Sequence, residues 1–242
     1  MIEVCNLSLV SENRLILENI SLKIKQGKRV ALIGKSGSGK SLLIRSILGL
    51  LPQNLTITQG EVKGNKSEVG IILQNPASCF DEIYTIKEHF LETFRARGIK
   101  ERNFYLEEVE LTESVLGMYP FELSGGMLQR IMIALTLSVK PQMIFADEMT
   151  SDLDCVGVWK IMNLLLKFQK ELQFGLFFIT HDLLIVARIA EEVLVLEEGK
   201  IIEQGSVQEI LKNPKMEKTK DILYENQKLY QTPWGDFSAG IN

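Results

Sequence analysis

Cysteine and histidine are scarce in this 242-residue sequence. The three cysteines, Cys5, Cys79 and Cys155, are dispersed, and there are only two histidines. A disulfide framework needs an even set of conserved-looking cysteine spacings, and a structural zinc site needs ligand pairs a few residues apart. We therefore expect neither kind of site. The few dispersed cysteines suit a reduced, cytosolic compartment.

Long apolar runs and an excess of positive charge are missing as well. No segment approaches the roughly 18 consecutive apolar residues of a membrane-spanning helix. Glu3 interrupts the apolar start that a signal peptide would need. The formal net charge of −4 provides no basic surface for nucleic acid. The hydrophobic content of 45% is ample for one large α/β core.

The first functional pattern in the sequence is a predicted strand, followed by a glycine-rich loop and the start of a helix. The apolar residues 30–33 precede the pattern G-x-x-x-x-G-K-[ST], which runs from Gly34 to Ser41. Such a loop points successive N–H groups into one concavity, and the following helix N-terminus adds positive potential. We expect Lys40 to reach the β- and γ-phosphates of a nucleotide and the Ser41 hydroxyl to ligate Mg²⁺. The predicted phosphate-binding residues are Gly34, Lys35, Ser36, Gly37, Ser38, Gly39, Lys40, Ser41 and Leu42.

The helix after this loop is predicted over residues 42–50. Leu43, Ile47 and Leu50 are expected to share its buried face.

Apolar runs and helical periods alternate along the rest of the chain. Residues 2–10 and 20–24 alternate apolar and polar side chains, which predicts an antiparallel pair of strands. Continuous apolar runs at 69–73, 142–146 and 176–180 predict buried strands, and Glu198-Gly199 predicts a hairpin. Helical periods cover 85–116 and 155–172. This order predicts an α/β fold with a parallel core.

Five further segments resemble the motifs of ABC-type ATPases, in the order that this family has. Residues 123–130, LSGGMLQR, are similar to the LSGGQ-x-QR signature, and residues 143–148, MIFADE, are similar to a Walker B strand. Residues 151–154, SDLD, match the D-loop, usually SALD. Gln74 follows its strand as the Q-loop glutamine does, and His181 stands where the H-loop histidine does. The resemblance spans about residues 2–212.

The resemblance implies a role for each of these residues. Glu148 would polarise the attacking water with His181 and Gln74, and Asp147, Gln74 and Ser41 would hold Mg²⁺. Ser124, Gly125, Gly126 and Asp154 would act at the nucleotide of a second subunit. The implied fold has a P-loop NTPase core with a mostly parallel sheet, an antiparallel β subdomain and a helical subdomain inserted at about 85–135. The resemblance implies a single ABC ATPase domain over 1–242, in which 213–242 form a C-terminal tail.

Smaller features resemble one branch of the family, the oligopeptide, dipeptide and nickel importers. These are YPFE before the signature, QNP at 74–76 and EQG at 203–205. Three more features are similar to the nickel-type ATPase subunit. These are Met127 in place of the usual Gln, the short tail and the absence of any cysteine after Cys155. The implied function is ATP hydrolysis that drives uptake of nickel or another metal, free or chelated. The implied partners are an identical or paralogous ATPase subunit, transmembrane permease subunits and, indirectly, a substrate-binding protein, at the cytoplasmic face of the membrane.

The sequence departs from the family pattern at three places. Met149 replaces the usual Pro after the catalytic Glu, and Asp152 replaces the usual Ala. Residues 1–40 contain no Phe, Tyr or Trp, so the aromatic that usually stacks on adenine is missing. Val10 or Leu15 would supply an apolar contact instead, which weakens discrimination between ATP and GTP.

Three alternatives remain at this point. The same subunit could serve a dipeptide or oligopeptide importer. A non-transport ABC ATPase of the DNA-repair or ribosome-associated type usually has a long coiled coil or two tandem cassettes, and neither is evident here. A small-molecule P-loop kinase would share the phosphate loop but would not need the signature, the D-loop and His181 in series.

Overall fold

The computed structural model describes residues 1–12, 14–149 and 155–230. These residues form two units. The first unit is discontinuous in sequence and consists of residues 1–66 and 177–242, and the second consists of residues 67–176. Among the described residues, no helix is long and apolar enough to span a membrane.

The first unit contains a three-stranded antiparallel sheet. Its strands are β1 (Ile2–Ser11), β2 (Arg14–Ile24) and β4 (Leu55–Lys63), in the order β2-β1-β4. Val4 lies opposite Leu22 on one side and Val62 on the other. The predicted antiparallel pair is therefore confirmed. The third strand, β4, pairs with the other side of β1.

A parallel pair of strands positions the phosphate loop in the same unit. Strand β3 (Arg29–Ile33) pairs in parallel with β8 (Glu192–Glu197), which pairs antiparallel with β9 (Lys200–Ser206). Between β8 and β9, Glu198 and Gly199 have φ values of 46° and 75°. Positive φ at both central residues is the hallmark of the type I′ turn, so the predicted hairpin is confirmed.

Helix α1 (Lys40–Leu48) follows the loop, and it ends earlier than predicted. Leu43 and Ile47 are buried as expected, but Leu50 is 54% exposed. The reason is Gly49, which has a φ of 75° and donates its N–H to the last helical carbonyls. This left-handed cap turns the chain before Leu50 can join the buried face.

The second unit contains the parallel pair β5 (Val69–Ile72) and β6 (Met143–Asp147). Its helices are α2 (Ile86–Ala96), α3 (Gly125–Ser138) and α4 (Cys155–Leu172). Strand β7 (Gly175–Ile179) starts in the second unit and ends in the first. The side chains of β6 and β7 are buried throughout, which explains why these strands read as continuous apolar runs.

The predicted helical stretch 85–116 is wrong over most of its length. Helix α2 ends at Ala96, and only short 3₁₀ turns follow, at 113–117 and 120–122. Phe90 and Phe94 are four residues apart on α2, and Phe104 contacts both rings from outside the helix, with ring centroids 5.1 to 6.0 Å apart across the three pairs. An aromatic cluster thus mimics a longer helix in the sequence. The boundaries of the helical subdomain, 85–135, remain a prediction.

The C-terminal segment is more ordered than the sequence indicated. After α5 (Leu183–Ile189), β8 and β9 come α6 (Val207–Lys212) and α7 (Glu217–Tyr230). The Glu203 carboxylate accepts hydrogen bonds from the backbone N–H groups of Lys215 and Met216 and so caps the start of α7. Ile222 and Leu223 are buried. Residues 217–230 therefore form a packed helix within the region that the sequence predicted as a polar tail.

Candidate functional site

The phosphate loop connects β3 to α1, and two of its glycines are required by the packing around them. A Cβ atom at Gly34 would collide with the carbonyl oxygen of Leu196. Gly39 has a φ of 104°, and a Cβ there would lie 2.8 Å from a methyl carbon of Leu17. The fold therefore demands glycine at both ends of the loop, and these glycines let the backbone curve as an anion-binding loop does.

Lys40 keeps its amine inside this loop. Its Nζ donates hydrogen bonds of 2.9 Å to the carbonyl oxygens of Gly34 and of Lys35, and the residue is only 9% exposed. Ser38 Oγ is buried, and it has no hydrogen-bond partner within the part of the chain that the structure describes. A buried hydroxyl without a partner is costly. A cationic amine and an unsatisfied hydroxyl in one loop fit a phosphate group.

Ser41 and Leu42 lie in the first turn of α1, half-buried, while Ser36 and Gly37 are exposed at the tip of the loop.

The Lys35 amine of the same loop forms an ion pair with Glu225 of α7 at 2.9 Å. The Glu225 carboxylate accepts this hydrogen bond and so raises the pKa of Lys35 above its ordinary value. The sequence offered no signal for this contact, because the two residues are far apart along the chain.

The residues proposed to read the nucleotide base lie opposite each other in the first unit. Val10 of β1 and Leu15 of β2 are register partners, and Leu15 is 48% exposed. An exposed leucine beside the β1–β2 turn can provide apolar contact but no aromatic stacking.

His181 lies at the end of β7, immediately before a helix cap that fixes its backbone. Asp182 is the N-cap of α5, and its carboxylate accepts hydrogen bonds from the N–H groups of Leu184 and Ile185. The Asp182 N–H donates to the Thr180 hydroxyl at 3.0 Å. The His181 side chain is exposed. The imidazole of His181 is therefore exposed, while the backbone beside it is held by the cap of α5.

In the second unit, Gln74 and Glu148 come together at the carboxyl ends of two neighbouring strands. Because Ile72 of β5 lies opposite Ala146 of β6, both strands end at the same edge. The Gln74 amide donates a hydrogen bond of 3.1 Å to the Glu148 carboxylate. Asp147 is 6% exposed, and Glu148 has a φ of 45°, which is unusual for a residue with a side chain. A buried acid and a strained acid at one strand end are typical of a functional site.

The oxygen ligands predicted for Mg²⁺ are a hydroxyl, an amide and a carboxylate, from Ser41, Gln74 and Asp147. Hard divalent cations prefer such oxygen donors, so the chemistry of this set fits Mg²⁺. By contrast, the described residues contain no cluster of three or more His, Cys, Asp or Glu side chains that could hold a metal ion.

The signature segment forms the start of α3. Ser124 is the N-cap, and its hydroxyl accepts a hydrogen bond from the Met127 N–H at 3.3 Å. Gly125 and Gly126 form the first turn, and a Cβ at Gly125 would meet no atom within 4 Å. The space beside Gly125 is therefore open, and the start of this 14-residue helix is the kind of position at which proteins bind anions. The predicted D-loop, including Asp154, lies outside the described residues.

Gln129 belongs to the signature match at residues 123–130, but the sequence assigned it no role of its own. It is 2% exposed, and its amide donates a hydrogen bond of 2.8 Å to the carbonyl oxygen of Met149. The available signal was an uncharged polar residue among the apolar residues of α3, between Leu128 and Ile131.

Comparisons with known proteins show which family the chain belongs to. The family described as ABC transporter matches residues 17–151. A curated protein of Brucella abortus named Nickel import ATP-binding protein NikD is 37% identical over 239 residues, covering 90% of each chain. A protein of the same name from Rhodospirillum rubrum is 38% identical over 234 residues, covering 89% of this chain and 90% of that one.

Solved structures share the fold. An ATP-binding subunit of an ABC transporter superposes with a TM-score of 0.81 at 24% identity, covering 94% of this chain and 99% of that one. A dimeric ATP-binding cassette in a post-hydrolysis state, bound to ADP and Pi, gives a TM-score of 0.71 at 27% identity, covering 86% and 99%. The predicted fold is thereby confirmed. Since the family matches more than half of the sequence and the relatives match nearly all of it, this chain belongs to the ABC transporter family and is one of its ATP-hydrolysing subunits.

Proposed function

We propose that this chain is the ATP-binding subunit of an importer for nickel or another transition metal, free or chelated, at the cytoplasmic face of the membrane. The observation that carries the proposal is the similarity to proteins named Nickel import ATP-binding protein, at 35 to 38% identity over about nine tenths of the chain. The branch features at residues 74–76, 119–122 and 203–205 support it.

ATP and Mg²⁺ are the proposed ligands. The phosphate loop, Gly34 to Ser41, would hold the phosphates through its N–H groups and through Lys40. On binding, the Lys40 amine would exchange the carbonyl oxygens of Gly34 and Lys35 for phosphate oxygens. Mg²⁺ would neutralise phosphate charge, with Ser41, Asp147 and Gln74 as its protein ligands. Phosphoryl transfer to water needs mainly this kind of positioning and charge neutralisation.

Glu148 is proposed as the group that polarises the attacking water. Its carboxylate is held from one side by the Gln74 amide, 3.1 Å away. A general base must be positioned before its pKa matters, and the strained backbone at Glu148 supports a functional constraint there. His181 is proposed to contact the γ-phosphate from its exposed position after β7.

A second ABC ATPase subunit, identical or paralogous, is the proposed dimer partner. The helix start at Ser124, Gly125 and Gly126 has open space before it and would close on the phosphates held by that subunit, with Asp154 linking the two sites. ATP would then join the subunits, and hydrolysis would release them. The dimeric structural relative supports this assembly.

Permease subunits are the proposed partners at the membrane. An exposed apolar patch, which we define as Ile83, Tyr84, Tyr119 and Phe121, lies on the second unit with exposed fractions of 72, 44, 38 and 67%. The rings of Tyr119 and Phe121 stack with centroids 5.5 Å apart. A hydrogen bond from the Ile86 N–H to the Met118 carbonyl joins the two halves of the patch. Exposed apolar groups clustered in this way are typical of a protein interface.

The proposal is tested in cells that lack the gene, by measuring uptake of radioactive nickel and of a labelled dipeptide. We expect nickel uptake to be lost and to return with the wild-type gene. The control is the same strain complemented with the Glu148→Gln variant, which should not restore uptake. Unchanged nickel uptake together with loss of dipeptide uptake would overturn the metal cargo and favour the peptide importer. Unchanged uptake of both nickel and the dipeptide would show that the chain serves neither a nickel importer nor a peptide importer.

A further inference from the structure

Gln129 is a buried polar side chain with one clearly defined partner in the second unit. It sits on α3, five residues after the N-cap Ser124, and it is 2% exposed. Its Nε2 donates to the Met149 carbonyl oxygen at 2.8 Å, a short distance for this kind of hydrogen bond. The bond crosses from a helix to the turn that follows β6, 20 residues further along the chain.

That turn carries the strained residue Glu148. With a φ of 45°, Glu148 has a left-handed backbone that side-chain-bearing residues adopt only when their surroundings enforce it. The Met149 carbonyl is part of the second peptide group after Glu148. Met149 is itself 4% exposed, so the segment is held by packing and by the Gln129 amide together.

The Glu148 side chain has a separate support. The Gln74 amide holds its carboxylate at 3.1 Å, whereas Gln129 holds the backbone one residue later. Two glutamines from different segments, one exposed and one buried, therefore fix the side chain and the backbone of one acid. Proline, the usual family residue at position 149, would have restricted the backbone by itself. Met149 provides no such restriction, so this chain depends more on the external hydrogen bond.

We propose that Gln129 is a positioning residue for Glu148, because it anchors the turn that aims the carboxylate at the attacking water. It does not touch the nucleotide or the water. Since Gln129 also lies one turn along α3 from Gly126, it connects the signature segment to the same turn. The proposal rests on the proposed role of Glu148.

The test variant is Gln129→Met in the full chain, which keeps the volume and removes the hydrogen bond. We expect kcat for ATP hydrolysis to fall roughly tenfold to a hundredfold, as small misplacements of catalytic groups commonly cause. KM for ATP and the affinity for ADP should stay within about twofold, because no phosphate contact is lost.

Gln169→Met is the matched control. Gln169 is also a buried glutamine of the second unit, 3% exposed, and its amide also donates to a backbone carbonyl, that of Phe174 at 3.2 Å. Both variants remove the same kind of bond and should lower the melting temperature to a similar degree. Only the Gln129 variant should lose kcat.

A double variant separates this proposal from the role of Glu148. If Gln129 acts through Glu148, Gln129→Met combined with Glu148→Gln should hydrolyse ATP no more slowly than Glu148→Gln alone, since residues that act as a unit are not additive. A further loss in the double variant, or equal loss in the Gln169 control, would overturn the positioning role. Normal turnover by Glu148→Gln alone would instead overturn the proposed function of Glu148.

Discussion

At the scale of single residues, the acid Glu148 at the end of β6 is constrained in both its backbone and its side chain. Glu148 combines a left-handed backbone with a hydrogen bond from Gln74, and buried Asp147 precedes it. Strained backbone persists only where the surrounding structure enforces it, and it is concentrated at functional sites. The arrangement is consistent with an acid held ready to orient water.

Replacing Glu148 by Gln should therefore separate binding from hydrolysis. We expect turnover to fall about 10²- to 10⁴-fold, the usual contribution of a general base, while ATP still binds. The variant should accumulate as an ATP-dependent dimer, which size-exclusion chromatography with and without ATP measures. Near-normal turnover of the variant in the assembled transporter would contradict the assigned role.

A second prediction at this scale concerns the nucleotide base. Because Val10 and Leu15 face the β1–β2 turn without an aromatic ring, affinity should come mainly from the phosphates and Mg²⁺. We expect ATP and GTP to bind within roughly tenfold of each other, or about 1.4 kcal/mol, by competition with a fluorescent nucleotide.

Introducing a ring tests where the base lies. Leu15→Tyr should tighten ATP binding roughly fivefold, since an aromatic contact contributes about 1 kcal/mol. Ile57→Tyr is the control, because Ile57 is a similarly exposed residue on β4 of the same sheet. A hundredfold preference of the wild type for ATP would show that another group reads adenine.

At the scale of elements, helix α3 combines a structural cap with the proposed contact to a second nucleotide. The Ser124 hydroxyl accepts the Met127 N–H and satisfies one donor of the first turn. Helix α6 also begins with a serine cap, in the first unit, where the Ser206 hydroxyl accepts the Glu209 N–H at 3.3 Å and donates to the Glu209 carboxylate at 2.7 Å. The chain thus offers two serine caps with different neighbours.

Ser124→Ala and Ser206→Ala should have similar effects on stability and different effects on activity. Each removes one cap and should lower the free energy of unfolding by about 1 kcal/mol, measured by urea denaturation. Only Ser124→Ala should slow ATP hydrolysis, because only that cap belongs to the proposed anion site. Equal loss of hydrolysis in both variants would show that Ser124 acts only as a helix cap.

The elements also show what the sequence can predict. The strands next to the site were predictable because short apolar runs between turn residues are typical of buried strands, and the motifs are contiguous in sequence. The length of α2 was not predictable, since Phe104 contributes to the same ring cluster from outside the helix. Helix α7 was missed because its buried residues Thr219, Ile222 and Leu223 lie in a mostly polar segment. The Gln129 bond depends on a tertiary contact.

At the scale of the whole molecule, we expect this chain to bind ATP and other subunits to bind the transported metal. The described residues contain no cluster of three potential metal ligands, and the sequence has only two histidines and three cysteines. We therefore expect the proposed membrane subunits and substrate-binding protein, and not this chain, to select the metal.

Calorimetry of the purified chain with Ni²⁺ tests this division of roles. We expect only weak binding without a defined stoichiometry, comparable to binding at a generic protein surface. A chain variant such as Lys40→Met, which disturbs only the nucleotide site, should give the same titration. Tight binding of one Ni²⁺ per chain would contradict the argument from ligand spacing.

The discontinuous first unit also has a consequence for synthesis on the ribosome. Residues 67–176 are contiguous, so the second unit can fold as soon as it has emerged. Strand β3 leads into the phosphate loop near the start of the chain, yet its parallel neighbour β8 spans residues 192–197. At the usual elongation rate, about 10 to 30 seconds pass before that neighbour is made. During this interval the pairing of β3 with β8 cannot form, so the unit that contains the start of the chain is completed last.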